Sequence, residues 1–241
     1  MANFSAIKFT VPDIKKQFIS GGTDYSKYSV KQSNIKTIQS INTNYGSLIK
    51  RWSDIFEIPS GVIIAFIATE SGGKMVKPNK YQATGLMQVT PSAIYECVTK
   101  WSNEVDAALP TEAINEINKK VPELLKKAPL SAALKSKILS VLTNDSSFNI
   151  MSGVLVIRWL LERFGSRIYG GQLNKAMVAY NAGAYTKALT SGGSKSIETP
   201  IDSLSLATNL RVPIESRSYL YKMLGKDGFL SLIYQQEALK K

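Results

Sequence analysis

Residues 66–73 read Phe-Ile-Ala-Thr-Glu-Ser-Gly-Gly. Val62, Ile63, Phe66 and Ile67 recur at helical spacing, and the next position on that face is Glu70. A carboxylate placed there loses hydration when charged, so its pKa rises. A carboxylic acid still protonated near neutral pH can deliver a proton to a leaving oxygen. The competing reading is a helix-terminal Glu that faces solvent. Two other stretches carry polar tips suited to holding a substrate. In Gly85-Leu86-Met87-Gln88, the Gln88 amide is both donor and acceptor and stands just before a helix. In Ala179-Tyr180-Asn181-Ala182-Gly183, two adjacent polar side chains close a helix, and the small residues after them permit close approach. Taken alone, each of these two stretches also reads as ordinary packing or capping.

Histidine is absent and the single cysteine is Cys97. This excludes Ser-His-Asp and Cys-His nucleophiles, His-based zinc sites and any intrachain disulfide. Cys97 reads as a small core residue. Catalysis must therefore come from carboxylates, Tyr, Ser/Thr, Lys or an oxygen-ligated metal. Asp54 and Glu57 read as solvated charges.

The elements that must position these groups are mainly helices. Ile35, Ile38, Tyr45, Leu48, Ile49, Trp52, Ile55 and Phe56 keep helical spacing over residues 31–56, with Gly46 expected to divide the stretch into two helices. Pro59 restarts a helix that Gly72-Gly73 ends, and Thr90 caps another that begins at Pro91. Residues 95–147 are helical and punctuated by Pro110, Pro122 and Pro129, with an amphipathic stripe of Leu109, Ile114, Ile117, Val121, Leu124 and Leu125. Further helices are expected over 148–164 (closed by Gly165), Leu173–Gly183, Ser216–Leu224 and 228–239, with a loop at Ser191–Ser196. Period-2 runs are scarce, so at most a small hairpin fits in 74–90. Residues 1–45 read as a basic arm with a short helix near Pro12–Ile19, and 46–241 as one domain with a helical insertion at about 95–147.

The order and spacing of these stretches resemble the lytic transglycosylases, the soluble-type enzymes with a lysozyme-like fold. The matching elements are the Pro-led apolar helix ending in Glu70-Ser71, then Gly-Leu-Met-Gln, then Ala-Tyr-Asn-Ala-Gly. Phe148-Asn149-Ile150 with Gly153 and Leu160, and Glu215-Ser216-Arg217-Ser218-Tyr219, are similar to later segments of that family. The resemblance spans about residues 47–225. It implies that Glu70 is the single catalytic acid/base and that Ser71 supports the helix end. It implies that Met87 and Gln88 line a sugar cleft, that Tyr180 bonds near Glu70, and that Asn181 holds substrate. Glu215 and Tyr219 would border the same cleft. Asn79 stands where the family often has a small hydroxyl residue contacting an N-acetyl sugar. The stretch from Pro91 to Asn149 is longer than is usual there, and a lid, an extra cleft wall or a docking surface all fit it.

The implied substrate is the glycan strand of bacterial peptidoglycan. The implied reaction is cleavage between N-acetylmuramic acid and N-acetylglucosamine with closure of a 1,6-anhydro ring, needing no metal or organic cofactor. The formal net charge of +12 and pI near 9.6 suit an acidic wall, as they suit nucleic acid or anionic lipid. Residues 1–51 carry eight Lys/Arg against two Asp. Met1–Gln17 lacks the apolar region of a signal peptide, and no run approaches a membrane span. A wall target without a signal peptide points to delivery by a phage virion or through a lysis hole, to act in the periplasm or envelope. Other virion proteins would then be partners for the arm or the insertion. Two rivals stand: a hydrolytic muramidase of the same fold, and a structural or DNA-contacting virion protein that keeps the fold.

Overall fold

The structure, a computed structural model, describes residues 31–105, 107–162, 173–184, 206, 212–225 and 228–238. The basic segment 1–30, Gly165, the Ser191–Ser196 loop and residue 239 lie outside the described residues.

The fold is mainly helical, and among the described residues the extended pairing is a single bridge between Thr84 and Val89. Helix α1 spans Lys31–Phe56, α2 Ser60–Ser71, α3 Pro91–Glu104, α4 Thr111–Lys120, α5 Ala132–Asn144 and α6 Ser146–Leu161. Helices α7 (Leu173–Ala182), α8 (Ile214–Leu224) and α9 (Phe229–Ala238) follow, and a 3₁₀ turn at Pro122–Leu124 lies between α4 and α5. Among the described residues no helix is long and apolar enough to cross a membrane.

Two helices have no polar side. Every residue of α2 from Val62 to Ala68 is buried, as is every residue of α6 from Phe148 to Leu161. A helix apolar all round must be covered all round. Helix α6 accordingly packs against α1, α3, α5 and α7, and α2 packs against α1, α8 and α9. Burial of Arg158 within α6 is tolerated because its guanidinium is occupied. Nη1 donates to the Phe56 carbonyl at the end of α1 at 2.8 Å, and Nη2 pairs with Glu162 at 2.7 Å.

Helix α1 runs unbroken through Gly46, where a division was expected. A glycine inside a helix costs only about 1 kcal/mol. Burying Ile38, Ile41, Ile49, Trp52 and Phe56 along one face outweighs that cost. The composition-based boundary near residue 45 therefore falls inside a helix whose first half, through Ile38 and Ile41, already joins the core. Thr90 caps α3 by accepting from the Ala93 N–H at 3.1 Å. The 95–147 stretch reaches the common core through Ile117, Val121, Leu124, Leu134, Ile138 and Leu142, while Ile114 stays exposed.

The loop before α3 is held from beneath by Asn149 of α6. Its Oδ1 accepts from Met87 N at 2.9 Å, and its Nδ2 donates to the Thr84 and Leu142 carbonyls, each at 3.0 Å. Gly85 makes room for that amide: a Cβ there would sit 2.1 Å from Asn149 Nδ2. Gly153 does the same for the Met87 side chain, whose sulfur would lie 2.4 Å from an added Cβ. Asn149→Ala leaves three buried main-chain groups without partners. We expect it to lower unfolding free energy by about 3 kcal/mol, read from denaturant midpoints at unchanged m-value.

Candidate active site

Glu70 lies in the last turn of α2, two residues beyond the buried run that ends at Ala68. Gly72, at φ 62°, ends the helix in the left-handed conformation that glycine adopts without strain. Ser71 completes the terminus: its hydroxyl donates to the Ile67 carbonyl at 3.1 Å and accepts from Gly73 N at 3.2 Å.

The carboxyl of Glu70 is largely withdrawn from water, and this desolvation raises its pKa from 4.5 to about 7. Two neighbours on α8 oppose the rise. The Tyr219 hydroxyl donates to Glu70 Oε1 at 2.9 Å, and the Lys222 ammonium, one helical turn further on, favours the charged form. Asp54 is engaged by Lys50 and Glu57 by Arg158. Tyr219 and Tyr180 are both held well above the usual phenol range, first by burial and then by the Glu70 charge. Both phenols therefore stay protonated and act as donors.

Phe66, one turn before Glu70, packs its ring against Tyr180 at 5.0 Å and Tyr219 at 6.1 Å between centroids. Three helices thus meet at one end of α2. The Tyr180 hydroxyl itself donates to the Met87 carbonyl at 2.7 Å. Met87 is consequently pinned at both main-chain polar atoms, by Asn149 and Tyr180, while its side chain is fully buried. Gln88 follows at φ 48°, a conformation few non-glycine residues adopt, with Nε2 donating to the Gly85 carbonyl at 2.9 Å. A cavity of about 340 Å³ opens beside this loop, lined by Gln88, Thr90, Glu96, Trp159, Tyr180 and Asn181 among others. Glu70 is not in its wall; Tyr180 borders the cavity and also feels the Glu70 charge.

The structure gathers Glu70, Tyr219 and Tyr180 around one carboxyl, and sets Gln88, Tyr180 and Asn181 around one cavity. Asn181 Oδ1 accepts from the Ser216 hydroxyl at 2.7 Å, which orients the amide. Glu215 is exposed at the start of α8. Asn79 is exposed, and its Oδ1 is used within its own turn, accepting from Tyr81 N at 2.8 Å and Ala83 N at 3.1 Å. The sequence assigned no site role to Phe66, Asn149, Ser216 or Lys222, although Asn149 and Ser216 stand in segments that resemble the family. Lys222 had one local signal, its spacing of three residues from Tyr219 on one helix face.

Residues 47–136 match the family model for the transglycosylase SLT domain. That stretch holds Glu70, Ser71, Asn79, Met87 and Gln88; Tyr180, Asn181, Glu215 and Tyr219 lie beyond it. The match supports a lytic transglycosylase catalytic domain, and the mainly helical architecture is consistent with the lysozyme-like SLT fold. No curated protein and no solved structure matches the chain.

The raised pKa of Glu70 has a consequence for stability. The folded protein holds this proton more tightly than the unfolded chain. The resulting stability is present below about pH 4.5 and is lost as pH rises toward the folded value of about 7. Glu70→Gln removes that loss. Allowing for partial solvent screening, the variant should gain about 2 kcal/mol relative to wild type between acidic and mildly alkaline pH. Paired denaturant titrations across that range measure the difference.

Proposed function

We propose, from the match of residues 47–136 to the transglycosylase SLT domain model, that this protein cleaves peptidoglycan glycan strands with Glu70 as single acid and base. The family match supports peptidoglycan cleavage of the lytic transglycosylase type. The observation that carries the finer reading is the desolvated Glu70 carboxyl, with a pKa near 7 and a phenol donor 2.9 Å from one oxygen. An acid with that pKa is substantially protonated at neutral pH and substantially ionised once it has given its proton away. It can therefore serve both halves of a reaction.

In the first half, protonated Glu70 gives its proton to the oxygen bridging N-acetylmuramic acid and N-acetylglucosamine. The carbon–oxygen bond breaks as positive charge grows at the muramic C1. The 2-acetamido carbonyl of the same sugar shares that charge. In the second half, ionised Glu70 takes the proton of the muramic C6 hydroxyl, whose oxygen bonds to C1 and closes the 1,6-anhydro ring. The nucleophile belongs to the substrate, so attack is intramolecular and profits from high effective concentration. A glycosidase that uses water as nucleophile commonly needs a second carboxylate. Ring closure needs one carboxyl group, and Glu70 with its Tyr219 donor supplies it. Tyr219 and Lys222 stabilise the ionised carboxylate between the two halves. Gln88 and Asn181 are the polar groups offered to the sugars.

Glu70→Gln should abolish clearing on a wall zymogram, with a rate loss of about 10²–10⁴-fold. Mass spectrometry of the wild-type digest should show 1,6-anhydro-muramic ends. Reducing muramic ends in their place would assign the reaction to a muramidase. The pH profile offers an independent check. Activity should fall as pH rises through about 7, because the first half needs protonated Glu70. Tyr219→Phe removes the hydrogen bond that lowers this pKa, so its alkaline limb should move to higher pH.

A further inference from the structure

The segment joining α2 to the Gly85–Gln88 loop contains Lys74, Lys77 and Lys80, and no Asp or Glu occurs from Ser71 to Tyr95. All three lysines are exposed, and among the described residues none of them is in an ion pair. Tyr81 beside them is 70% exposed, more than any other large apolar or aromatic side chain among the described residues. The Lys80 ammonium lies 4.9 Å from the Tyr81 ring centroid.

This segment is firmly built. Asn79 Oδ1 holds the N–H groups of Tyr81 and Ala83, Asn79 N donates to the Ala83 carbonyl at 3.0 Å, and Gln82 N donates to the Asn79 carbonyl at 2.9 Å. Gly85 N at 2.8 Å and the Thr84 hydroxyl at 3.0 Å both donate to the Val76 carbonyl, tying the turn to the cleft loop. A turn that served only to connect two elements would need neither an aromatic ring held in water nor unpaired ammonium groups around it. The segment is also continuous with the site, since it begins just after Glu70 and runs directly into the loop that carries Gln88.

We propose that residues 74–82 form a docking edge of the cleft for the carboxylate-bearing peptide stems of a glycan strand seated at Glu70. In this reading, which rests on the peptidoglycan assignment above, the Tyr81 ring packs on the strand and the lysines pair with stem carboxylates. Charge complementarity selects the occupant. A glycan without stems offers the lysines only the lactyl carboxylate of each muramic residue, whereas a stem-bearing strand carries further carboxylates along each stem and uses both Tyr81 and the three ammonium groups. Each exposed pair contributes little, but the pairs act together on a repeating polyanion and are screened by salt.

The test uses the full chain carrying Glu70→Gln, so that wall is bound without being cut. The wall is first extracted to remove phosphate-bearing accessory polymers. Binding is then measured to this wall and to the same wall stripped of its stems by an amidase. Replacing Lys74, Lys77 and Lys80 together by Gln should weaken binding to stem-bearing wall about tenfold at low salt and flatten its salt dependence. On stripped glycan, which keeps only the lactyl carboxylates, the same variant should lose much less than it loses on stem-bearing wall. Tyr81→Ala should weaken binding to both forms. Equal binding of triple variant and parent to stem-bearing wall overturns the proposal. So does an equal loss on stripped glycan, or a loss seen only on wall that keeps its accessory polymers. Failure of the cleavage reading shows separately, in the products made by the Glu70 protein, and leaves this comparison intact. Absence of binding to either wall form removes the peptidoglycan reading and the docking edge together.

Discussion

A partly buried carboxyl group at the end of a helix with no polar side is the constraint around which this molecule is organised. Helix α2 is buried through seven consecutive residues, Val62 to Ala68, so its C-terminal turn emerges from the core with protein still packed around it. Glu70 inherits that environment and the desolvation cost that comes with it. Ionisation is tolerated because α8 brings a phenol donor and an ammonium to the same carboxyl. Without α8 the acid would be harder to ionise, and without the burial it would be an ordinary surface glutamate. The balance near pH 7 belongs to the packing of α2 against α8 rather than to Glu70 alone.

A second constraint fixes the loop that leads into α3. Met87 is gripped by side chains from two helices, Asn149 of α6 below and Tyr180 of α7 above, each on a main-chain atom. Main-chain clamps of this kind hold the next residue, Gln88, in a left-handed conformation it would rarely choose. Tyr180 joins the two constraints. Its ring leans on Phe66 of the acid's helix while its hydroxyl holds the loop. Displacing one of these groups would disturb the other, so the acid and the loop are mechanically a single unit.

Much of the helical frame was legible because it rests on local physics. Apolar runs too long to leave exposed, Thr90 before Pro91 and the glycines at 72 and 73 all act over a few residues. Gly46 misled because a local cost of about 1 kcal/mol was weighed without the burial that α1 gains along its whole length. The resemblance gave Met87 and Asn79 roles toward substrate. The structure shows the Met87 side chain buried against Gly153 and the Asn79 oxygen occupied in its own turn. Side-chain direction of this kind depends on what packs overhead, and periodicity carries no record of it. Phe66, Ser216 and Lys222 went unassigned for the same reason, since their significance lies in contacts with segments far along the chain.

By itself, the sequence determined the chemistry that is possible: with no histidine and a single cysteine, any catalysis falls to carboxylates, Tyr, Ser/Thr, Lys or an oxygen-ligated metal. It also determined that Glu70 continues an apolar face, because helical periodicity is a property of neighbouring residues. Only the tertiary structure decided that Tyr219 and Lys222 would meet that carboxyl, that Asn149 would hold the loop, and that Asn181 would be oriented by Ser216. These are relations between segments far apart in the chain, 149 residues for Tyr219 and Glu70 alone. They exist once the buried helices have packed, and desolvation, which sets the acid's pKa, comes from the whole packed surround rather than from any local run of residues.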